Sequence, residues 1–387
     1  MVVTSPFLSE KDSEINYLAR NEGAYRGLTT IFPGVTLNTL ILTTKIASKE
    51  RLFLGKFRVP SEKIKGGGFG GVSVTHATKI LSEKLKGEVD QSLSYKTCQN
   101  ILNLCIDLRL LTKISSEYKV HSYGQPLLQI NNKVDLNYKC YFIERLLFED
   151  GDFICAILKI HSKKFESNID DIESGIIKYK GKSNFFGKVL HELVLNQLEK
   201  REKQMFSPNV KQFLVRKIHD IQDQLKDIDK AIKNEKRIVP RRTELEYTVR
   251  RDWLMELNLL KYENKEIITT EEGNELLNRI NERSLDMDFF INNIFSIMAK
   301  IYDMNDYSHE PKSDLFRKYY DILTINKGNI LETFVLINTI IFSEIPKFIG
   351  ERNILLAELL DLAKSSNINL VVENGYRTRS YYVKKRH

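Results

Sequence analysis

Asp150 and Asp152 flank Gly151, and Lys159 follows shortly after. Carboxylates that gather Mg²⁺ beside a lysine are the ingredients of metal-dependent strand cleavage. The Glu-x-Lys triplet that such a site needs on the next strand is missing. Glu117 to Lys119 and Glu263 to Lys265 fall on hairpins, and Glu310 to Lys312 falls in a polar break, where solvated charge accounts for them. His191-Glu192 begins a zinc-protease helix, but Leu195 stands where the second His is required. Gly66, Gly68 and Gly71 satisfy GxGxxG, yet Pro60 to Lys65 is a poor buried strand, no βαβ alternation follows, and the Gly-Lys-Ser/Thr ending of a P-loop is absent. The polar cluster Asp303 to Pro311 lacks the glycine and terminal Glu of a calcium loop. We therefore expect no catalytic residue, no metal site and no cofactor, and keep a Mg²⁺-dependent nuclease as the enzymatic alternative.

A second kind of chemistry is spelled by residues suited to base edges and phosphates. Asn and Gln pair bidentately with adenine, and Lys and Arg reach guanine or phosphate. Behind a capping Ser94, Tyr95, Lys96, Gln99, Asn100 and Asn103 share the outward face of a helix whose Ile101, Leu104, Cys105 and Leu108 point inward. Leu110 to Ile114 and Tyr118 to Val120 follow as two strands around a tip at Ser115-Ser116-Glu117. The same grammar returns from Arg241 to Leu277. A basic helix with Arg241, Arg242, Arg250 and Arg251 runs through Trp253 into Leu257 to Leu260, then into two short strands, and Thr269-Thr270-Glu271-Glu272-Gly273 reads as the strand end and N-cap of the next helix. Leu-x-Leu-Leu at Leu108 to Leu111 and again at Leu257 to Leu260 marks the two stretches as copies of one pattern. Helix, strand, turn and strand in this order resemble the recognition helix and wing of winged-helix domains. That resemblance implies duplex DNA as partner, read by a helix in the major groove and held by the hairpins. Winged helices also dock proteins, and that reading stays open.

The elements that must position these residues follow from patterning. The chain of 387 residues is long enough for several domains, and its 59 Lys+Arg against 51 Asp+Glu give +8, a balance that favours a polyanion. We expect a mainly helical α+β protein with tandem winged-helix-like units and a long coiled-coil-like helix between them. The domains are a leader with a Gly-rich turn (1–71), a winged-helix-like unit (72–130), a mixed β and helical domain (131–206), the long helix (207–240), a second winged-helix-like unit (241–285) and a helical domain with a basic hairpin (286–387). Within 131–183, Tyr138 to Phe142, Phe153 to Ile160 and Ile176 to Tyr179 read as strands, with a turn at Glu149 to Asp152. Ser207-Pro208 opens the long helix, whose Leu214, Ile218, Ile221, Leu225 and Ile228 form one narrow seam. The seam fits a homodimer or a neighbouring element of the same chain. At the end, helices over Ile330 to Phe342 and Asn353 to Ser365 precede a hairpin turning at Asn374-Gly375, with Arg377 and Arg379 at its basic tip as further DNA-contact candidates. Four cysteines without CxxC or disulfide-framework spacing suit a cytoplasmic protein. The most apolar run, Thr333 to Phe342, is too short to span a membrane. Such a protein fits a regulator, a replication initiator, or the DNA-reading subunit of a mobile-element or anti-phage system. A protein-docking scaffold is the alternative outside enzymes.

Overall fold

The structure, a computed structural model, describes residues 28, 34–59, 72–86, 93–129, 136–162, 183–204, 208–233, 241–264, 266–281, 301, 312–324, 330–343, 352–364, 369–374 and 381–385. The chain is mainly helical, with small antiparallel sheets. The Gly-rich turn, Ile176 to Tyr179, Asp303 to Pro311, Arg377 and Arg379 lie outside the described residues.

The first unit begins earlier than residue 72. Helix α1 (Leu37–Lys49) is capped by Thr36, whose hydroxyl accepts from the Thr39 amide at 3.2 Å. Strand β1 (Leu52–Phe53) follows, then a hairpin of β2 (Lys56–Val59) and β3 (Val72–Thr75), which pair from Lys56↔Thr75 to Val59↔Val72. Thr75 caps α2 (His76–Leu85), and Ser94 caps α3 (Tyr95–Asp107) by accepting from Thr97 at 3.1 Å. These hydroxyls satisfy amides that the first turn leaves orphaned. Strands β4 (Leu111–Ile114) and β5 (Glu117–Val120) make a hairpin, so Glu117 is strand rather than tip. Strand β1 adds to its far edge through Leu52↔Tyr118, giving the order β1-β5-β4. A 3-10 helix, Ser122–Leu128, closes the unit. Ile101, Leu104, Cys105 and Leu108 are buried as their spacing requires.

The middle region corrects the expectation of strands. Leu136–Ile160 is one helix, α4, with a kink at Asp150 (φ −144°, ψ 23°). Every residue from Cys140 to Leu158 is buried. A helix covered on all sides has no polar face, so its sequence loses the 3.6-residue period and reads as short apolar runs. Helices α5 (Ser183–Gln204) and α6 (Pro208–Lys233) pack antiparallel, tied by Lys188–Asp229 at 2.8 Å near one end and Lys211–Glu202 at 3.1 Å near the other. Leu214, Ile221 and Ile228 are buried in the seam, which faces α5 of the same chain.

The second unit repeats the last part of the first, a helix, a hairpin and a closing helix, with a two-stranded sheet. Helix α7 (Arg241–Glu256) leads into strands β6 (Leu260–Glu263) and β7 (Glu266–Thr269), and then into α8 (Glu271–Asn281). Thr270 Oγ1 accepts from the Gly273 amide at 3.1 Å as the α8 cap. Helices α3 and α7 end alike. The Leu110 amide reaches the Cys105 carbonyl at 2.7 Å and the Leu259 amide reaches that of Leu254 at 2.8 Å. Arg109 (φ 54°) and Asn258 (φ 61°) occupy the left-handed position that this type of helix end requires. Those two residues are 149 positions apart, as are the hairpin residues Ser115 (φ 56°) and Asn264 (φ 51°).

In the C-terminal region, α9 (Lys312–Thr324), β8 (Ile330–Glu332), α10 (Thr333–Ser343) and α11 (Arg352–Lys364) precede β9 (Leu370–Asn374) and β10 (Tyr381–Lys385). Two expectations change here. Ile330–Glu332 is a strand paired with β10 rather than the first turn of a helix, giving the order β8-β10-β9. Asn374 pairs with Tyr381, so the connection runs over 375–380 and is not a two-residue turn.

Candidate nucleic-acid interface

The face formed by α3 and its hairpin is set by one amide. Gln99 Nε2 donates to the Tyr118 hydroxyl on β5 and to Asn103 Oδ1, both at 3.1 Å. Gln99 thereby ties the helix to the hairpin. Burial raises the Tyr118 phenol, and the bond from Gln99, which its oxygen accepts, opposes that shift. Lys96 is exposed, while Tyr95, Asn100 and Asn103 are half-buried along the same helix. On the hairpin, Lys113 and Lys119 are exposed. The Lys113 ammonium stands 5.4 Å from the centre of the Tyr118 ring, and Ile114 at the tip is half exposed. Arg51 lies at the opposite edge of the sheet, 3.4 Å from Glu117 and 5.3 Å from the Phe53 ring centre. The five residues expected on this face do share one helix surface; on the hairpin, Lys113 lies on the same sheet face as Tyr118, while Lys119 points to the other face, 4.0 Å from Glu117.

The second unit is different. Arg250 is fully buried, which overturns its expected role as a base reader. Its guanidinium grips both carboxylate oxygens of Asp150, with Nη2 to Oδ1 at 3.1 Å, and lies 4.0 Å over the Phe153 ring. Position 250 corresponds to the core position of Ile101, so the helix turns this side chain inward. Arg251 is half-buried, held by Asp252 at 2.6 Å and 5.6 Å over the Tyr247 ring. Arg241 and Arg242 lie in the first turn of α7. The side chains of both fall outside the described set.

No protein-family description, no curated protein and no solved structure matches this chain. Its own geometry is what bears on the site.

Sequence reading missed a buried ionic layer beneath the two units. Glu144, Arg145, Glu149, Asp150 and Asp152 of α4 are all buried. Arg109 from the end of α3 meets Glu149 at 2.9 Å, and Arg145 meets Glu144 at 3.0 Å and lies 3.9 Å over the Tyr123 ring. The charge-rich Glu149-Asp150-Gly151-Asp152 inside a long apolar run is the available signal, but by itself it reads as an exposed turn. With Asp150 engaged by Arg250, the nuclease arrangement loses its leading carboxylate. No group of three or more His, Cys, Asp or Glu able to hold a metal ion occurs among the described residues. His191 is buried too, with Nε2 2.7 Å from Gln224 Oε1 and Nδ1 2.6 Å from the Gly187 carbonyl.

Other contacts clamp α7 in place. Trp253 Nε1 donates to the Val35 carbonyl at 2.7 Å. Glu256 accepts from the Tyr138 hydroxyl at 2.6 Å and from the Leu37 amide at 3.1 Å. His161, at the end of α4, lies 2.9 Å from the Tyr247 hydroxyl and 2.9 Å from the Ile267 carbonyl. Burial pushes the His161 imidazole down to about 4. On the C-terminal sheet, Lys384 and Lys385 are paired with Glu373 at 2.6 Å and Asp321 at 2.8 Å.

Proposed function

We propose that this protein, built from tandem winged-helix-like units, binds duplex DNA and performs no chemistry of its own. The observation that carries the reading is the first unit. Helix α1, strand β1, helices α2 and α3 and the β4-β5 hairpin follow in the order of a winged-helix domain, with the β2-β3 hairpin inserted between β1 and α2, and β1 closes the sheet as β1-β5-β4. In that arrangement α3 is the helix that enters the major groove, with Asn100 and Asn103 facing base edges and Lys96 facing phosphate. Lys113 and Lys119 on the hairpin then hold the neighbouring backbone. The helix–hairpin pattern recurs at a constant spacing, which marks the two stretches as copies of one module, and the net charge of +8 supports a polyanionic partner. A regulator, a replication initiator and the DNA-reading subunit of a defence or mobile-element system all share this chemistry.

The decisive experiment is binding to random-sequence duplex across a salt series, with and without Mg²⁺. A steep linear fall of log K with log salt is expected, because each phosphate contact releases counterions. Weak, salt-insensitive binding turns the units into protein-docking modules, and Mg²⁺-dependent loss of intact duplex restores the nuclease alternative.

A further inference from the structure

We infer that the two copies have divided the work: duplex DNA is held by the first unit alone, and the second is an internal brace that does not touch it. This rests on the proposed DNA-binding function and says which surface performs it.

The constant offset allows a position-by-position comparison of residues 95–128 with 244–277. The first span carries four Lys+Arg against two Asp+Glu; the second carries four against nine. The same backbone scaffold therefore presents opposite net charge, and a phosphate backbone is repelled by the second copy. The reading positions have changed as well. Where the first unit has Tyr95, Lys96 and Gln99, the second has Glu244, Leu245 and Thr248. Where it has Asn100 and Asn103, the second has a buried Val249 and an exposed Asp252. On the hairpin, Lys113 and Lys119 give way to Tyr262 and Ile268. No bidentate donor or phosphate-reaching cation remains at any of these positions.

The inward positions have changed in the complementary sense. Cys98, Ile101 and Leu104 of the first unit pack in the core, whereas their counterparts Tyr247, Arg250 and Trp253 reach other elements: His161, Asp150 and the Val35 carbonyl. The second copy has exchanged a reading face for anchors. On its first strand Lys261 is paired with Glu263 at 2.9 Å.

The test compares three proteins by salt-dependent binding to one duplex: the unaltered chain, Lys96→Gln/Lys113→Gln/Lys119→Gln, and Arg251→Gln/Lys261→Gln. All five side chains lie at or near the surface, and circular dichroism melts confirm that each protein folds. The triple variant is expected to flatten the log K against log salt slope by roughly one unit for each phosphate that its lysines no longer neutralise. The second-unit pair is expected to leave the slope within error of the unaltered chain. Hydroxyl-radical footprinting of the unaltered chain should give a single protected patch rather than two patches one helical turn apart. Equal flattening by both variants, or a two-patch footprint, overturns the division of labour. An unaltered chain with no salt-dependent affinity overturns the DNA reading itself, and that result is visible before any variant is compared.

Discussion

Gly124 and Gly273 stand 149 positions apart and do the same thing. A Cβ on Gly124 would lie 2.2 Å from the Leu110 carbonyl oxygen, and a Cβ on Gly273 would lie 2.3 Å from that of Leu259. Both carbonyls also accept the amide that follows the hairpin, from His121 at 3.0 Å and from Thr270 at 3.1 Å. Each glycine lets the closing helix press against the turn that ends α3 or α7. Gly124→Ala and Gly273→Ala should each destabilise the protein by about 1–3 kcal/mol through overpacking against backbone that cannot retreat. Urea denaturation measures this, and a change below a few tenths of a kcal/mol at either site would mean the close approach is not rigid.

Arg250 and Asp150 form a buried pair whose members depend on each other. Arg250→Met alone strands a carboxylate and should cost about 3–5 kcal/mol, while Asp150→Leu/Arg250→Met should recover most of that stability. A double-mutant cycle by denaturation gives the coupling. If the single and double variants were equally unstable, the pair would not be the source of the cost.

His161 should make stability depend on pH in one direction. Its folded pKa of about 4 lies below the unfolded value of 6.5. Above pH 6.5 both states are neutral and nothing is lost. Between pH 6.5 and 4 the unfolded chain takes up a proton that the folded one refuses, so stability falls as pH falls. Comparing denaturation midpoints of the unaltered chain and His161→Gln from pH 7 to pH 4 isolates this group from the carboxylates. The variant should show the shallower decline; parallel curves would mean that His161 does not set the slope.

Trp253 is the only tryptophan in the chain and is buried, with its indole donating to Val35. Its emission should be blue-shifted in the folded protein and move red as α7 separates from the first unit. Trp253→Phe should cost about 1–3 kcal/mol because the Val35 carbonyl loses its buried donor. Retained stability in that variant would show the carbonyl to be hydrated.

The copied helix–hairpin pattern is legible in the sequence because a half-buried helix and a short hairpin keep their own periods. Ser94 and the Thr269-Thr270 pair announce their caps, and Leu-x-Leu-Leu announces the two helix ends. The strands expected at Tyr138 to Phe142 and Phe153 to Ile160 fail for the opposite reason: α4 is buried on every side and displays no period. Arg250 is misplaced by its sequence context because a charged residue on a basic helix is outward by default, and only a buried carboxylate reverses that.

The sequence alone determined the two helix–hairpin stretches, the caps at Ser94 and after the second hairpin, and the +8 balance, all of which depend on residues a few positions apart or on composition. The tertiary structure decided which copy faces solvent with its lysines and which turns its arginine to Asp150, a hundred positions away. That choice is made by desolvation. A guanidinium enters the interior only where a carboxylate is already waiting, and no local pattern records the meeting of two distant segments.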